Sequence, residues 1–362
     1  MRATASAPRR SVRPNRTTAF FSLLIGWLLI LAGCTAPRLQ EQRGEFRLPR
    51  LTVEKAVMDD GYQLPLRHWG QAQGATALVL ALHGFNDYGN AFAGLGPYLA
   101  ASNILTYAYD QRGFGATAQR GRWAGEDRMI ADLITLTTLL RRRHTELPLY
   151  LLGESMGGAV VMAAAAHATA ADGIILVAPA VWPRDTMNPL QRFGLWAASS
   201  TVPWLELTGR GLDIRPSDNL DMLRTYSADP LVIKKTRVDA LWGITNMMDR
   251  ASSAAGYLSR PALVLYGARD EIIPRRAFCV MLDTLPEGQS RLRLAIYRDG
   301  WHMLTRDLQG ERVMADIAAW LTDPHAALPS GEEVKPGSQH LEQFCPEGPA
   351  SMPRGDTPVP TG

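Results

Sequence analysis

LYLLGESMGGAVVMAAAAHAT, residues 149–169, decides how the rest of this chain is read. It begins as an apolar run, Leu149-Tyr150-Leu151-Leu152, and ends as an alanine-rich stretch. Between them lies Gly153-Glu154-Ser155-Met156-Gly157. The bare pattern G-x-S-x-G is weak, because a glycine-rich loop produces it by chance. Its setting is informative. A buried strand over Leu149–Leu152, a tight turn at Ser155 and a helix over Met156–Thr169 together form the elbow that holds a serine nucleophile. Gly153 and Gly157 remove side chains that would clash across such a turn. The helix start adds free amides and a positive dipole end beside the hydroxyl.

A serine hydroxyl needs a base to take its proton. His302, in DGWHM at 299–303, follows the last expected strand and can reach Ser155 from the C-terminal sheet edge. The imidazole in turn needs an acceptor on its other nitrogen. Asp270, in YGARDEIIP at 266–274, follows an earlier strand and fits the chain order Ser, Asp, His; Glu271 is the neighbouring rival. Amide donors for an oxyanion are expected from Met156 and from Phe85, which follows His83-Gly84 after the run Ala77–Leu82. Asp110, in DQRGFG at 110–115, precedes the serine and reads as a structural residue tying loops together.

Outward from the elbow, strands alternate with helices. Strands are expected at Leu51–Val57, Leu64–Trp69, Ala77–Leu82, Ile104–Tyr109, Ile174–Val177, Ala262–Tyr266 and Leu292–Ile296. Helical periods occupy Ala91–Ala100, Glu126–Arg143, Arg275–Leu285 and Leu308–Leu321. Such alternation predicts a doubly wound, mainly parallel sheet with α/β architecture. The rhythm breaks between Pro179 and Pro261, where Trp182, Trp196, Trp204, Trp242 and several methionines cluster. Residues 181–257 are therefore expected to form a helical cap inserted into a body made of 50–180 and 258–323. From 324 to 362 the chain is rich in proline, glycine and polar residues, and a disordered tail is expected.

These motifs, taken in order, resemble the α/β-hydrolases of the monoacylglycerol lipase and lysophospholipase type, also called serine aminopeptidase-like hydrolases. The resemblance runs over about 60–322 and rests on HGF at 83–85, DQRGFG at 110–115, GESMGG at 153–158, GARDEIIP at 267–274 and GWHM at 300–303. It implies Ser155 as nucleophile, Asp270 and His302 as its partners, the Phe85 and Met156 amides as oxyanion donors, and a helical cap. It implies no metal and no organic cofactor. Two departures stand out. Lipases of the group often carry histidine at the position of Glu154, and FNDYGNAF at 85–92 replaces the usual Gly-Glu-His pattern. The expected substrate is an amphiphilic carboxylic ester, such as a monoacylglycerol or lysophospholipid. A short-chain carboxylesterase, a thioesterase, a peptidase and a non-catalytic envelope binding protein remain the alternatives. Epoxide hydrolases and dehalogenases of this fold use aspartate where this chain has Ser155.

The N-terminal segment carries Arg2, Arg9, Arg10, Arg13 and Arg16, with no acid, ahead of the apolar run Ala19–Leu31. That run suits a signal peptide and is short for a span of about twenty residues. Leu31-Ala32-Gly33-Cys34 resembles the bacterial lipobox, so residues 1–33 are expected to be removed and Cys34 lipidated, with 34–49 as a linker. Thr35 after the cysteine favours the periplasmic face of the outer membrane, where a lipid anchor would tether the enzyme. Without the leader's arginines the +3 net charge disappears, and nothing suggests nucleic acid. Cys279 reads as a small buried apolar residue of a helix; Cys345 lies in the polar tail, and an oxidising envelope leaves their pairing open. No spacing suggests a metal site.

Overall fold

A computed structural model describes residues 39–40, 46–209, 211–286, 291–335 and 337–346. Cys34 and the expected signal peptide lie outside the described residues. The strands are β1 (Arg50–Leu51), β2 (Lys55–Val57), β3 (Gln63–Trp69), β4 (Ala77–Leu82), β5 (Ile104–Tyr109), β6 (Leu149–Glu154), β7 (Gly173–Val177), β8 (Glu206–Leu207), β9 (Thr236–Arg237), β10 (Ala262–Gly267) and β11 (Leu292–Tyr297). The α-helices are α1 (Leu95–Ala101), α2 (Glu126–Arg143), α3 (Met156–Ala164), α4 (Pro189–Thr201), α5 (Leu220–Ala228), α6 (Val238–Ala254), α7 (Arg275–Thr284), α8 (Gly310–Thr322) and α9 (Gln339–Phe344).

One sheet runs in the order β1-β2-β3-β5-β4-β6-β7-β10-β11. From β5 to β11 every neighbour is parallel, while β1, β2 and β3 join antiparallel at one edge. Both faces are covered, which is why the central strands read as continuous apolar runs. On β4, Leu78, Leu80 and Leu82 face one layer, packing with Leu133 of α2, Val160 of α3, Met247 of α6 and Phe278 of α7. Ala77, Val79 and Ala81 face the other, with Leu99 of α1 and Ile317 of α8. The parallel strands place the turns after β4, β6, β10 and β11 at one edge, where open α/β sheets gather their ligands.

Two expectations about boundaries change. Helix α6 was expected within the cap, yet its Ala240, Ile244, Met247, Met248 and Ala251 are buried in the same cluster as the sheet. It packs along α3, so residues 238–257 belong to the body, and the insertion proper ends at β9. Helical periodicity reveals an apolar stripe but not its partner. The tail also departs from expectation as far as Pro346. Val334 donates its amide to Leu294 O (2.8 Å), and Ile296 donates to Glu332 O (3.0 Å). Arg293 reaches Pro324 O and Ala326 O at 2.7 Å each. Helix α9 follows, and Cys345 forms a disulfide with Cys279, with Cα atoms 5.7 Å apart. Cys279 is thus a cross-link as well as a buried residue. A polar composition conceals order that rests on backbone pairing and one covalent bond.

Candidate active site

Ser155 sits between β6 and α3 with φ 52° and ψ −116°. Few non-glycine residues adopt that conformation; it costs about 1–3 kcal/mol and persists only where the surroundings impose it. Here they do. The Ser155 amide donates to Val177 O (2.9 Å), and the Ser155 carbonyl accepts from Ala159 N (3.1 Å) and Ala180 N (2.9 Å). The flanking glycines are obligatory by proximity. A Cβ on Gly157 would lie 2.1 Å from Leu82 O, and one on Gly153 would lie 2.4 Å from Gly157 O.

His302 and Asp270 arrive from the loops after β11 and β10. The Ser155 hydroxyl donates to His302 Nε2 at 3.0 Å, and His302 Nδ1 donates to Asp270 Oδ2 at 2.8 Å. The tautomer is assigned from chemistry, since a carboxylate only accepts. Asp270 Oδ1 is held by the Ile272 and Ile273 amides at 2.8 and 2.9 Å. Its rival Glu271 turns away and accepts from the Arg215 amide. Burial works to lower the basicity of His302, but the charge and hydrogen bond of Asp270 outweigh it, and the imidazole pKa is raised overall. The structure therefore brings Ser155, His302 and Asp270 into one hydrogen-bonded line, which permits proton transfer from hydroxyl to imidazole.

Gly84 brings the loop after β4 against the serine, since a Cβ there would stand 3.3 Å from Ser155 Cβ. The Phe85 amide beyond it donates to no protein carbonyl among the described residues. Met156 opens α3, and first-turn amides have no intrahelical acceptor. Both expected oxyanion donors are thus free. His83, fully buried, fixes the loop: its ring lies against Gly84 O (2.8 Å) through Nδ1 and accepts from Gln111 N (2.9 Å) through Nε2. Burial depresses its pKa, consistent with a neutral structural ring. Asp110 accepts from Arg67 (2.7 Å) and from the Gly89 and Ala116 amides (2.9 Å each), the tying role expected of it.

Sequence reading missed a second buried cluster. Arg306 donates to Glu154 Oε1 (2.6 Å) and Asp87 Oδ2 (2.8 Å). Glu154 departs from the family pattern, and that acid beside Ser155 is the one signal in the sequence. Asp307 accepts from Ser217 Oγ (2.6 Å) and Trp301 N (2.7 Å), and burial pushes its carboxyl up to about 6. Ser217 belongs to the insertion, which is pinned to the site at several points. Met303 N donates to Pro216 O, Ile233 N to Asn86 O, and Tyr88 OH to Asp229 Oδ2 (2.6 Å). Among the described residues no group of acidic, histidine or cysteine side chains is arranged to hold a metal ion.

This sheet, with its elbow and cap, is the α/β-hydrolase fold. Solved relatives carry the same architecture: the monoacylglycerol lipase of Paleococcus ferrophilus aligns with a TM-score of 0.61 at 22% identity, covering 71% of this chain and 98% of that one. A soluble variant of the Saccharomyces cerevisiae monoglyceride lipase, in complex with a substrate analog, aligns at 0.64 and 20% identity, over 81% and 100%. The serine aminopeptidase S33 family, Hydrolase_4, matches residues 73–309, and the chain belongs to that family. In sequence it is 25% identical to the monoglyceride lipase of Rattus norvegicus, over 80% of this chain and 95% of that one. It is 24% identical to the monoacylglycerol lipase of Mycolicibacterium smegmatis, over 70% and 90%.

Proposed function

We propose that this protein is a serine esterase that cleaves single-chain amphiphilic esters, of the monoacylglycerol or lysophospholipid class, through an acyl-enzyme. The hydrogen-bonded line from Ser155 through His302 to Asp270 carries the reading. In this mechanism Ser155 Oγ attacks the ester carbonyl while His302 Nε2 takes its proton. Asp270 holds the imidazole in the right tautomer and stabilises the imidazolium. The Phe85 and Met156 amides receive the oxyanion. His302 then protonates the departing alcohol. Water, deprotonated by the same imidazole, releases the fatty acid.

The lipid assignment draws support from two sources. Relatives spanning most of the chain carry the names monoglyceride lipase and monoacylglycerol lipase. The insertion above the serine exposes Leu190, Phe193, Trp196 and Trp204, an apolar surface suited to meeting amphiphiles. Lipidation at Cys34 would place that surface at the periplasmic face of the outer membrane; two or more acyl chains anchor stably where one does not. Metabolic labelling with an alkynyl fatty acid checks the anchor: wild type takes up label and Cys34→Ser does not.

Two measurements test the activity. A fluorophosphonate should label wild type and not Ser155→Ala. Turnover should then be compared on p-nitrophenyl acetate, monoacylglycerols, lysophospholipids, acyl thioesters and aminoacyl anilides. A preference for acetate, thioester or anilide selects the short-chain esterase, thioesterase or peptidase instead. Failure of both labelling and turnover would falsify the enzymatic reading and leave a binding protein.

A further inference from the structure

Arg306 lies one turn beyond His302, in a short 3₁₀ segment over Leu304–Arg306, and joins four parts of the site that are far apart in sequence. Its two terminal nitrogens engage Glu154 at the end of β6 and Asp87 in the loop after β4. The Tyr226 ring of α5 lies 5.6 Å from the guanidinium. The Arg306 carbonyl accepts from Asn219 Nδ2, at the start of that same helix, at 3.0 Å. Glu154 immediately precedes Ser155, and Asp87 lies two residues after Phe85. One side chain therefore bears on the nucleophile turn, an oxyanion loop, the histidine loop and the insertion.

The three charges are buried together: the Arg306, Asp87 and Glu154 side chains are 13%, 4% and 2% exposed. Two carboxylates so placed need a cation, because an isolated buried charge is expensive. Glu154 and Arg306 also act on the catalytic base. Burial disfavours the protonated form of His302, the charges of Asp270 and Glu154 favour it, and Arg306 opposes it. Asp307 lies next in sequence to Arg306, and Glu154 acts on it as well. His83 feels Asp87, Asp110 and Glu154 from the other side, but burial favours its neutral form.

We propose that Arg306 is a positioning residue: it fixes the elbow, the Phe85 loop and the insertion relative to His302, and by neutralising Glu154 and Asp87 it keeps the imidazole free to act as a base. The inference rests on the reading of His302 as the general base. It explains the departure from the family at position 154, since a glutamate there is tolerable when an arginine answers it from the histidine loop.

The test uses the full chain and two readouts, the pH profile of kcat/KM and the titration of the His302 ring followed by NMR. Arg306→Met leaves two uncompensated acids, so the acid limb and the ring midpoint should rise by about one pH unit, with kcat falling at least tenfold. Glu154→Gln removes an acid and keeps the arginine, so both should move the opposite way. Arg306→Lys keeps the charge but not the fork, and should restore the wild-type limb while kcat stays reduced. If Arg306→Met does not fold, the downward shift in Glu154→Gln decides. Loss of activity in these variants with limb and midpoint unmoved overturns the proposal, leaving a purely structural cluster. Retained activity in Ser155→Ala would instead overturn the triad, and the ring titration keeps the two failures apart.

Discussion

At the sheet edge, Gly157 approaches β4 so closely that one added methyl would fall 2.1 Å from a carbonyl oxygen. In the insertion above it, Leu190, Phe193, Trp196 and Trp204 stand 79%, 62%, 54% and 55% exposed. The first region has no spare volume, whereas the second leaves large apolar side chains more than half exposed, with Phe193 and Trp196 resting ring to ring (5.7 Å). The insertion is hydrogen-bonded to the loops that carry Asn86 and Met303, next to Phe85 and His302. A strained nucleophile must be overdetermined by its neighbours, because its conformation is otherwise lost. A surface meant to receive a flexible acyl chain must keep its apolar groups available. On the function proposed above, chemistry falls to the packed region and selection to the open one.

Four measurements press on that division. The largest effect should come from the line of hydrogen bonds itself. Ser155→Ala or His302→Ala should lower kcat by roughly 10⁴-fold or more with the fold intact, and Asp270→Asn somewhat less. Steady-state kinetics with contamination excluded checks this, and more than a tenth of wild-type turnover in Ser155→Ala would move the chemistry elsewhere. Next comes the wedge. Gly157→Ala should destabilise the protein by about 1–3 kcal/mol or more, because the obstacle is backbone that cannot rotate away. Denaturant titration reads it, and an unchanged midpoint would mean that the elbow has slack.

The insertion should answer differently. Phe193→Ser with Trp196→Ser should leave the melting temperature near that of wild type. Activity on long-chain esters should fall several-fold more than activity on acetate. Equal losses on both substrates would make the cap structural, and the contrast between regions would collapse.

The smallest effect concerns Asp307, where insertion and body meet. Burial raises its carboxyl pKa from the usual carboxylate range to about 6. A raised acid pKa means the folded state binds the proton more tightly than the unfolded chain does. Its stabilising contribution is therefore full below about pH 4 and is lost as pH rises through about 6. Asp307→Asn has no proton to lose, so relative to wild type it should gain in melting temperature between pH 4 and pH 7.5. A constant difference across that range would show that the carboxyl is not perturbed.

Much of this arrangement is legible in consecutive residues. The strand, elbow and helix around Ser155 carry a dense local signal, because apolar runs and obligatory glycines are both properties of consecutive residues. Asp270 and His302 were legible from their place after late strands. Arg306, Asp87 and Ser217 were not. Their roles arise from a meeting of loops far apart in sequence, and no period or spacing marks it. Helix α6 was misplaced for a related reason, since Ala240, Ile244 and Met247 form a stripe that would suit a cap or a body equally well. The tail was misread because Val334 and Cys345 are isolated signals in polar surroundings, and a cross-link depends on which thiol lies opposite.

That cross-link changes what it takes to separate His302 from Ser155 and Asp270. Cys279 and Cys345 close a covalent ring across a sequence separation of 66. Strand β11, His302, Arg306 and helix α8 all lie on that ring, whereas Ser155 and Asp270 lie on the chain outside it. Cutting the backbone once anywhere between the two cysteines opens the ring but frees nothing: the imidazole stays tethered to its serine through whichever arm remains. Within the ring, a protease must cut on both sides of His302, or act together with a reductant, before that segment is released. The disulfide thus gives the enzyme a covalent tolerance to a single nick between residues 279 and 345.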